Sequence, residues 1–126
     1  VIATTSASNR QFVLSKGADD VIDYTSADWS DVLGADSVDV VLDAVGRAGT
    51  GEAAMRVLRG GGRYITLLGV LAVSPKAGVR QAFCQLSHVQ TKYLDMLKSF
   101  VDAGKLSPTI VETFRLEDIG LAIAAS

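Results

Sequence analysis

The chain has 126 residues, 48% of them apolar, and a formal net charge of -2, which bounds it to one compact domain with a sizeable core. No Lys/Arg run marks a nucleic-acid or anionic-membrane footprint, and no apolar run is long enough to span a bilayer. Cys84 is the only cysteine and His88 the only histidine. An intrachain disulfide is therefore impossible, a self-contained Cys/His zinc site is not expected, and a reducing, cytoplasmic setting fits.

Val1 to Thr5 reads as a strand. Ser6 or Ser8 can cap the next helix, which carries Phe12 and Val13 and stops at Gly17. Val21 to Asp23 is a short second strand, and Ser26 to Leu33 a short amphipathic helix with Trp29, Val32 and Leu33 inward. Val38 to Ala44 is apolar almost throughout, as a central, buried strand would be. Thr50 to Leu58 is a helix with Ala53, Ala54, Val57 and Leu58 on its buried side; Gly60 to Gly62 read as the turn that stops it, and Arg63 to Leu68 as the next strand. Gly69 to Gly78 is a loop, and Gln81 to Leu86 a further strand with Cys84 packed inside it. Thr91 to Ala103 is the clearest helix, with Leu94, Leu97 and Val101 on one face and Gly104 closing it. Thr109 to Phe114 is β-branched and strand-like, and Leu116 to Ala125 is helical.

Buried strands that alternate with helices and open into glycine-bearing loops predict an α/β, Rossmann-like, doubly wound and mostly parallel sheet. Ligands in such sheets bind outside the carboxyl ends of the strands. Three segments lie there. The turn Thr5, Ser6, Ala7, Ser8, Asn9, Arg10 carries no acid to hold the ribose hydroxyls of NAD, but it does carry a cation and small hydroxyl residues. It reads either as a 2′-phosphate site or as a capped helix with a solvated arginine. Val45 and Gly46 end the central strand; the glycine permits close approach of a flat ligand or simply makes a turn. Thr66, Leu67 and Gly69 end the following strand, where Thr66 is either a ligand contact or a β-branched sheet residue.

The runs GADDVIDY, VDVVLDAVG, AMRVLRGGGRYITLLG and VDAGKLSPTIVETFRLED, in this order after VIATTSASNRQFVLSK, resemble the medium-chain dehydrogenase/reductase superfamily, most of all its zinc-independent quinone oxidoreductase branch. The resemblance covers essentially the whole chain. It implies a partial dinucleotide-binding domain over residues 1–126, NADP(H) as cofactor, and hydride transfer to a small quinone, enone or related carbonyl compound in the full enzyme. It places Ser6, Ser8, Asn9, Arg10 and Tyr24 near the adenosine phosphate, and Val45 and Gly46 against the cofactor. Thr66, Leu67, Gly69, Phe83 and Cys84 fall near the nicotinamide end. No residue matches an acid/base catalyst. The family's first strand and glycine-rich turn would precede Val1, as would its amino-terminal domain, and its last strand would follow Ser126; the expectation is that this chain does not turn over alone. The resemblance also implies a possible homodimer through the edge near Gln81 to Leu86. Two rival readings are a class I methyltransferase, which expects an acid at the end of the first strand, and a non-catalytic cofactor-sensing or dimerisation domain.

Overall fold

A computed structural model describes residues 1–84, 90–110 and 112–125. It divides into two compact units, Val1–Gln85 and Leu86–Ser126.

The first unit holds five strands and three helices. β1 (Ile2–Thr5) leads through a 3-10 turn (Ala7–Asn9) into α1 (Arg10–Ser15), then β2 (Asp20–Asp23), α2 (Trp29–Leu33), β3 (Val38–Asp43), α3 (Thr50–Val57), β4 (Leu58–Thr66) and β5 (Arg80–Phe83). Every strand pair is parallel, as the alternation of strands and helices predicts. The sheet, expected to be incomplete with its first strand absent, is in two parts: β1 pairs with β2, and β3, β4 and β5 form a separate sheet. Consequently β3, read as buried, has an open edge, with Val40 54% and Leu42 65% exposed.

The core lies between α3 and β4. Ala54, Met55, Leu58, Tyr64 and Ala72 form it, and Trp29, Val38, Val41 and Val79 pack around it. Leu58 and Val57 are fully buried, each contributing about 1.5–3 kcal/mol of apolar transfer. Ala72 reaches this core from the segment after β4, so that segment is tied down along part of its length. The Gln81 amide holds it by accepting from Ala72 N–H at 3.0 Å and donating to Ala72 C=O at 3.1 Å.

Several local expectations change. Gly60 to Gly62 do not form a free turn; they lie inside β4 as a bulge, because α3 runs directly into the strand. Val38 pairs with Leu58 and Val40 with Arg63, so Asp39 alone faces the four residues 59–62. α2 begins at Trp29, where the Asp28 carboxylate accepts from Ser30 N–H at 2.8 Å and caps the helix. Val32 is exposed because a five-residue helix offers only one turn to the core. Neither Ser6 nor Ser8 caps α1 through its side chain; their hydroxyls lie 3.0 Å from each other. β5 spans Arg80–Phe83 at the edge of its sheet, so Phe83 is 45% exposed and Cys84 is an exposed thiol where a packed one was expected.

The second unit contains α4 (Thr91–Asp102), a 3-10 turn (Leu116–Asp118) and α5 (Ile119–Ala125). Gly104, with φ +67°, closes α4 through its N–H to the Val101 carbonyl, as predicted. The described residues of Thr109 to Phe114 are not a strand; β-branching favours a sheet only where a partner strand exists, and they pair with none among the described residues. His88 and Leu86 lie outside the described residues.

Candidate functional site

Two rows of strand ends form one rim. Asp43, Thr66 and Phe83 share a register across β3, β4 and β5, and Thr5 shares one with Asp23 across β1 and β2. At each joint the chain leaving one strand donates an N–H to the last carbonyl of its neighbour: Leu67 to Asp43 at 2.9 Å, Cys84 to Thr66 at 2.9 Å, Tyr24 to Thr5 at 3.2 Å. The rim is thus built from backbone, and its loops start from fixed points.

Asp43 organises the central loop. It is buried, and its Oδ1 accepts from Val45 N–H at 2.9 Å and Gly46 N–H at 2.8 Å. Its Oδ2 accepts from the Tyr64 hydroxyl at 3.0 Å. Burial pushes the Asp43 carboxyl up, but the Gly46 and Val45 amides and the Tyr64 hydroxyl more than offset it, so the group ionises below its ordinary range. Burial, and then the bond to Asp43 and its charge, push the Tyr64 phenol up to about 12.

This carboxylate bends the chain into a sharp loop that turns Val45 outward and brings Gly46 against the next loop. Gly46 has φ +68°, and a Cβ there would stand 2.6 Å from the Leu68 Cβ. The glycine therefore allows the β3 and β4 loops to meet as one low wall, with Val45, Leu67 and Leu68 exposed on it. Such a wall fits the flat, partly apolar body of a dinucleotide. Gly69, with φ +77°, sits at the far end, where an added Cβ would stand 3.6 Å from the Phe83 ring.

Other predicted residues are placed differently. Thr66 is fully buried, and its Oγ1 accepts from Leu68 N–H at 3.2 Å, so its hydroxyl shapes the loop instead of facing outward. The Arg10 guanidinium donates to the Val21 carbonyl at 2.7 Å and pairs with Asp20 at 3.4 Å. It braces the side of β2, while Ser6, Ser8 and Asn9 sit at the rim after Thr5. The cation that stands at the rim is Arg47, one residue past Gly46, whose guanidinium lies 5.6 Å from the Tyr24 ring centre. Among the described residues it makes no ion pair. The sequence reading passed over Arg47, Tyr64 and the role of Asp43. The Asp-x-x-Gly spacing at a strand end was the available signal, since a short carboxylate captures amides two and three residues on. Among the described residues, no three His, Cys, Asp or Glu side chains gather as metal ligands, so the donor set for a zinc ion is not assembled there.

A family model described as zinc-binding dehydrogenase matches residues 16–126. A 2-methylene-furan-3-one reductase of Solanum lycopersicum is 37% identical over 113 residues, covering 87% of this chain and 25% of that protein. An NADPH-dependent alkenal/one oxidoreductase of Arabidopsis thaliana, described as chloroplastic, is 34% identical over 110 residues, with the same coverage. The chain thus spans about a quarter of these relatives' length. The solved quinone oxidoreductase of Coxiella burnetii superposes with TM-score 0.81 at 26% identity, over 99% of this chain and 40% of that one.

Proposed function

The chain belongs to the zinc-binding dehydrogenase family, in the quinone oxidoreductase-like branch of the medium-chain dehydrogenase/reductase superfamily, and from that premise we propose that it is the NADP(H)-binding part of a reductase for quinones, enones or related small carbonyl compounds. The observation that carries this reading is the wall at the strand ends, where Gly46 packs on Leu68 and Arg47 stands over Tyr24.

In this reading Val45, Gly46, Leu67 and Gly69 support the body of the cofactor. Ser6, Ser8, Asn9, Tyr24 and Arg47 receive the adenosine phosphate, and Arg10 holds the β2 flank that carries Tyr24. Phe83 and Cys84 border the nicotinamide end. The bound cofactor supplies the hydride; this chain supplies position and a water-poor surface. No residue is assigned as an acid or base, and substrate contacts fall to polypeptide beyond these 126 residues. No helix among the described residues is long and apolar enough to cross a membrane. A single cysteine suits a reducing compartment, which the cytoplasm provides.

Calorimetric titration with NADPH and NADH tests the reading. NADPH should bind at least tenfold more tightly than NADH. Arg47→Ala should abolish that preference, while Arg10→Ala should lower stability and leave the preference in place. Equal affinity for both cofactors, or loss of preference with Arg10→Ala alone, would refute it.

A further inference from the structure

β4 and β5 are parallel, so the chain must return from the carboxyl end of one to the amino end of the other. Such a crossover is ordinarily helical and satisfies its own backbone groups. Here residues 67–79, all of them described, form neither helix nor strand. Side chains of neighbouring elements hold the segment instead. The Gln81 amide clasps Ala72, accepting from its N–H at 3.0 Å and donating to its carbonyl at 3.1 Å. The Glu52 carboxylate accepts from Val73 N–H at 3.0 Å, and Met55 Sδ from Lys76 N–H at 3.3 Å. Lys76 Nζ donates to the Leu58 carbonyl at 2.7 Å and pairs with Asp36.

Gln81 alone among these fastens both backbone groups of one residue. A side-chain amide offers a donor and an acceptor in one plane, as a neighbouring strand would. It seats Ala72 against α3 where Gly51 leaves room, since a Cβ on Gly51 would stand 2.5 Å from the Ala72 nitrogen. Ala72 is 5% exposed, but Leu71 and Val73 on either side are 40% and 90% exposed. Packing therefore grips one small residue, and hydrogen bonds fix its place.

The rim is three residues away, at Gly69. Leu71 N–H bonds back to the Gly69 carbonyl at 3.0 Å, so the chain between is a tight turn with little slack. At its centre the Val70 carbonyl lies 2.7 Å from the Tyr64 hydroxyl, which is also 3.0 Å from Asp43 Oδ2. Asp43 in turn holds the Val45 and Gly46 amides. A shift of Ala72 is thus passed to both rim loops.

We propose that Gln81 is a positioning residue for the cofactor wall: its clasp on Ala72 sets the place of the Gly69 loop and, through Tyr64 and Asp43, of the Gly46 loop. The identity of the ligand rests on the cofactor reading above; the linkage of Gln81 to the two loops does not.

Gln81→Glu tests it. The substitution keeps the size and one acceptor, and exchanges the donor for a titratable oxygen. Ionised, the new carboxylate faces the Ala72 carbonyl with no proton; protonated, it makes both bonds again. The unchanged chain and the variant are compared at about pH 7.5 and about pH 4.5, the latter close to an ordinary glutamate value. Calorimetry reads NADP+ affinity, and amide hydrogen exchange in the cofactor-free chain reads protection at Leu71 and Gly46. At the higher pH the variant should bind NADP+ about tenfold more weakly, as loss of one hydrogen bond allows, and lose protection at both amides by a similar factor. Trp29 fluorescence should stay unchanged. At the lower pH both differences should shrink to about threefold or less, as the protonated fraction regains the clasp. A purely structural role would not give this recovery. Full protection of Leu71 and Gly46 in the variant at the higher pH would overturn the proposal. So would losses that do not recover on acidification, or lost protection with NADP+ affinity intact. Failure of the unchanged chain to bind NADP+ would sink the cofactor reading alone, and exchange at Gly46 would still decide whether Gln81 holds the rim.

Discussion

Replacing Tyr64 by Phe tests whether Asp43 is the organiser of the rim. The Tyr64 ring is fully buried, and Phe keeps its shape and removes only the hydroxyl. That hydroxyl has one hydrogen and two acceptors, the Asp43 carboxylate at 3.0 Å and the Val70 carbonyl at 2.7 Å. The Val70 carbonyl is only partly buried and can turn to water. Asp43 is buried and has no such recourse. A hydrogen bond to a charged group contributes about 1.5–3 kcal/mol, and the loss should fall in that range. With a urea slope of about 1–3 kcal/mol/M, the midpoint should drop by roughly 1 M. Trp29 packs against this core and is the only tryptophan, so its fluorescence reports the transition. The variant should also unfold earlier on acidification, since one of the bonds that keep the Asp43 carboxyl ionised is gone. A loss under about 0.5 kcal/mol, below the range for a charged hydrogen bond, would refute the reasoning. It would mean that Val70 is the working acceptor and that the two amides, with the Thr66 side chain, hold Asp43 without Tyr64.

Gly46→Ala should cost about 1–2 kcal/mol for its left-handed backbone, plus the contact with Leu68; NADPH affinity should fall by about tenfold while the pH profile stays unchanged, checked by urea titration and calorimetry. Asp28→Ala should cost about 0.5–2 kcal/mol by removing the α2 cap, seen as a lowered melting temperature. Stability should also depend on pH in two windows. The Asp43 carboxyl is lowered in the folded state, so its contribution is present above the unfolded value of about 4 and is lost as pH falls through the folded one. The Tyr64 phenol is raised to about 12, so its contribution is full below pH of about 10 and is lost on rising toward 12. Tyr64→Phe should abolish the alkaline window, and an unchanged alkaline limb would contradict it.

Much of the fold was legible because its periodicities are strong. VDVVLDA and the spacing of Ala53, Ala54, Val57 and Leu58 identify β3 and the buried face of α3 directly. The splitting of the sheet was not legible, since apolar composition marks what a strand is suited to touch and says nothing of whether a neighbour is present. Cys84 failed for the same reason: the apolar run Ala82 to Cys84 lies at the end of an edge strand, where it is exposed. In the site, the glycine turn at Gly46 could be read. The choice between Arg10 and Arg47 could not, because it depends on where two long side chains reach. Arg10 is five residues past β1 but bonds to β2, while Arg47 meets Tyr24 from another sheet.

The glycine triplet separates local pattern from local need most sharply. Read as a helix stop, Gly60, Gly61 and Gly62 are interchangeable. As a bulge in β4 they are not. A Cβ at Gly60 would meet nothing within 4 Å, and its backbone is not left-handed. A Cβ at Gly62 would stand 2.9 Å from the Arg59 carbonyl and 3.1 Å from the Asp39 carbonyl. Both are main-chain atoms, which yield less easily than the far end of a flexible side chain. Gly60→Ala should therefore be neutral or stabilising by about 0.4–1 kcal/mol, through the reduced freedom of the unfolded chain. Gly62→Ala should destabilise by about 1–3 kcal/mol, as overpacking against fixed atoms does. Equal urea midpoints for the two variants would mean that the bulge is soft and that α3 and β4 are joined by an ordinary turn. Because the bulge lies at the amino end of β3, opposite the rim, Gly62→Ala should leave cofactor affinity unchanged even as it lowers stability. Gly46→Ala should lower both, which is the contrast expected if the two glycine sites serve the fold and the ligand separately.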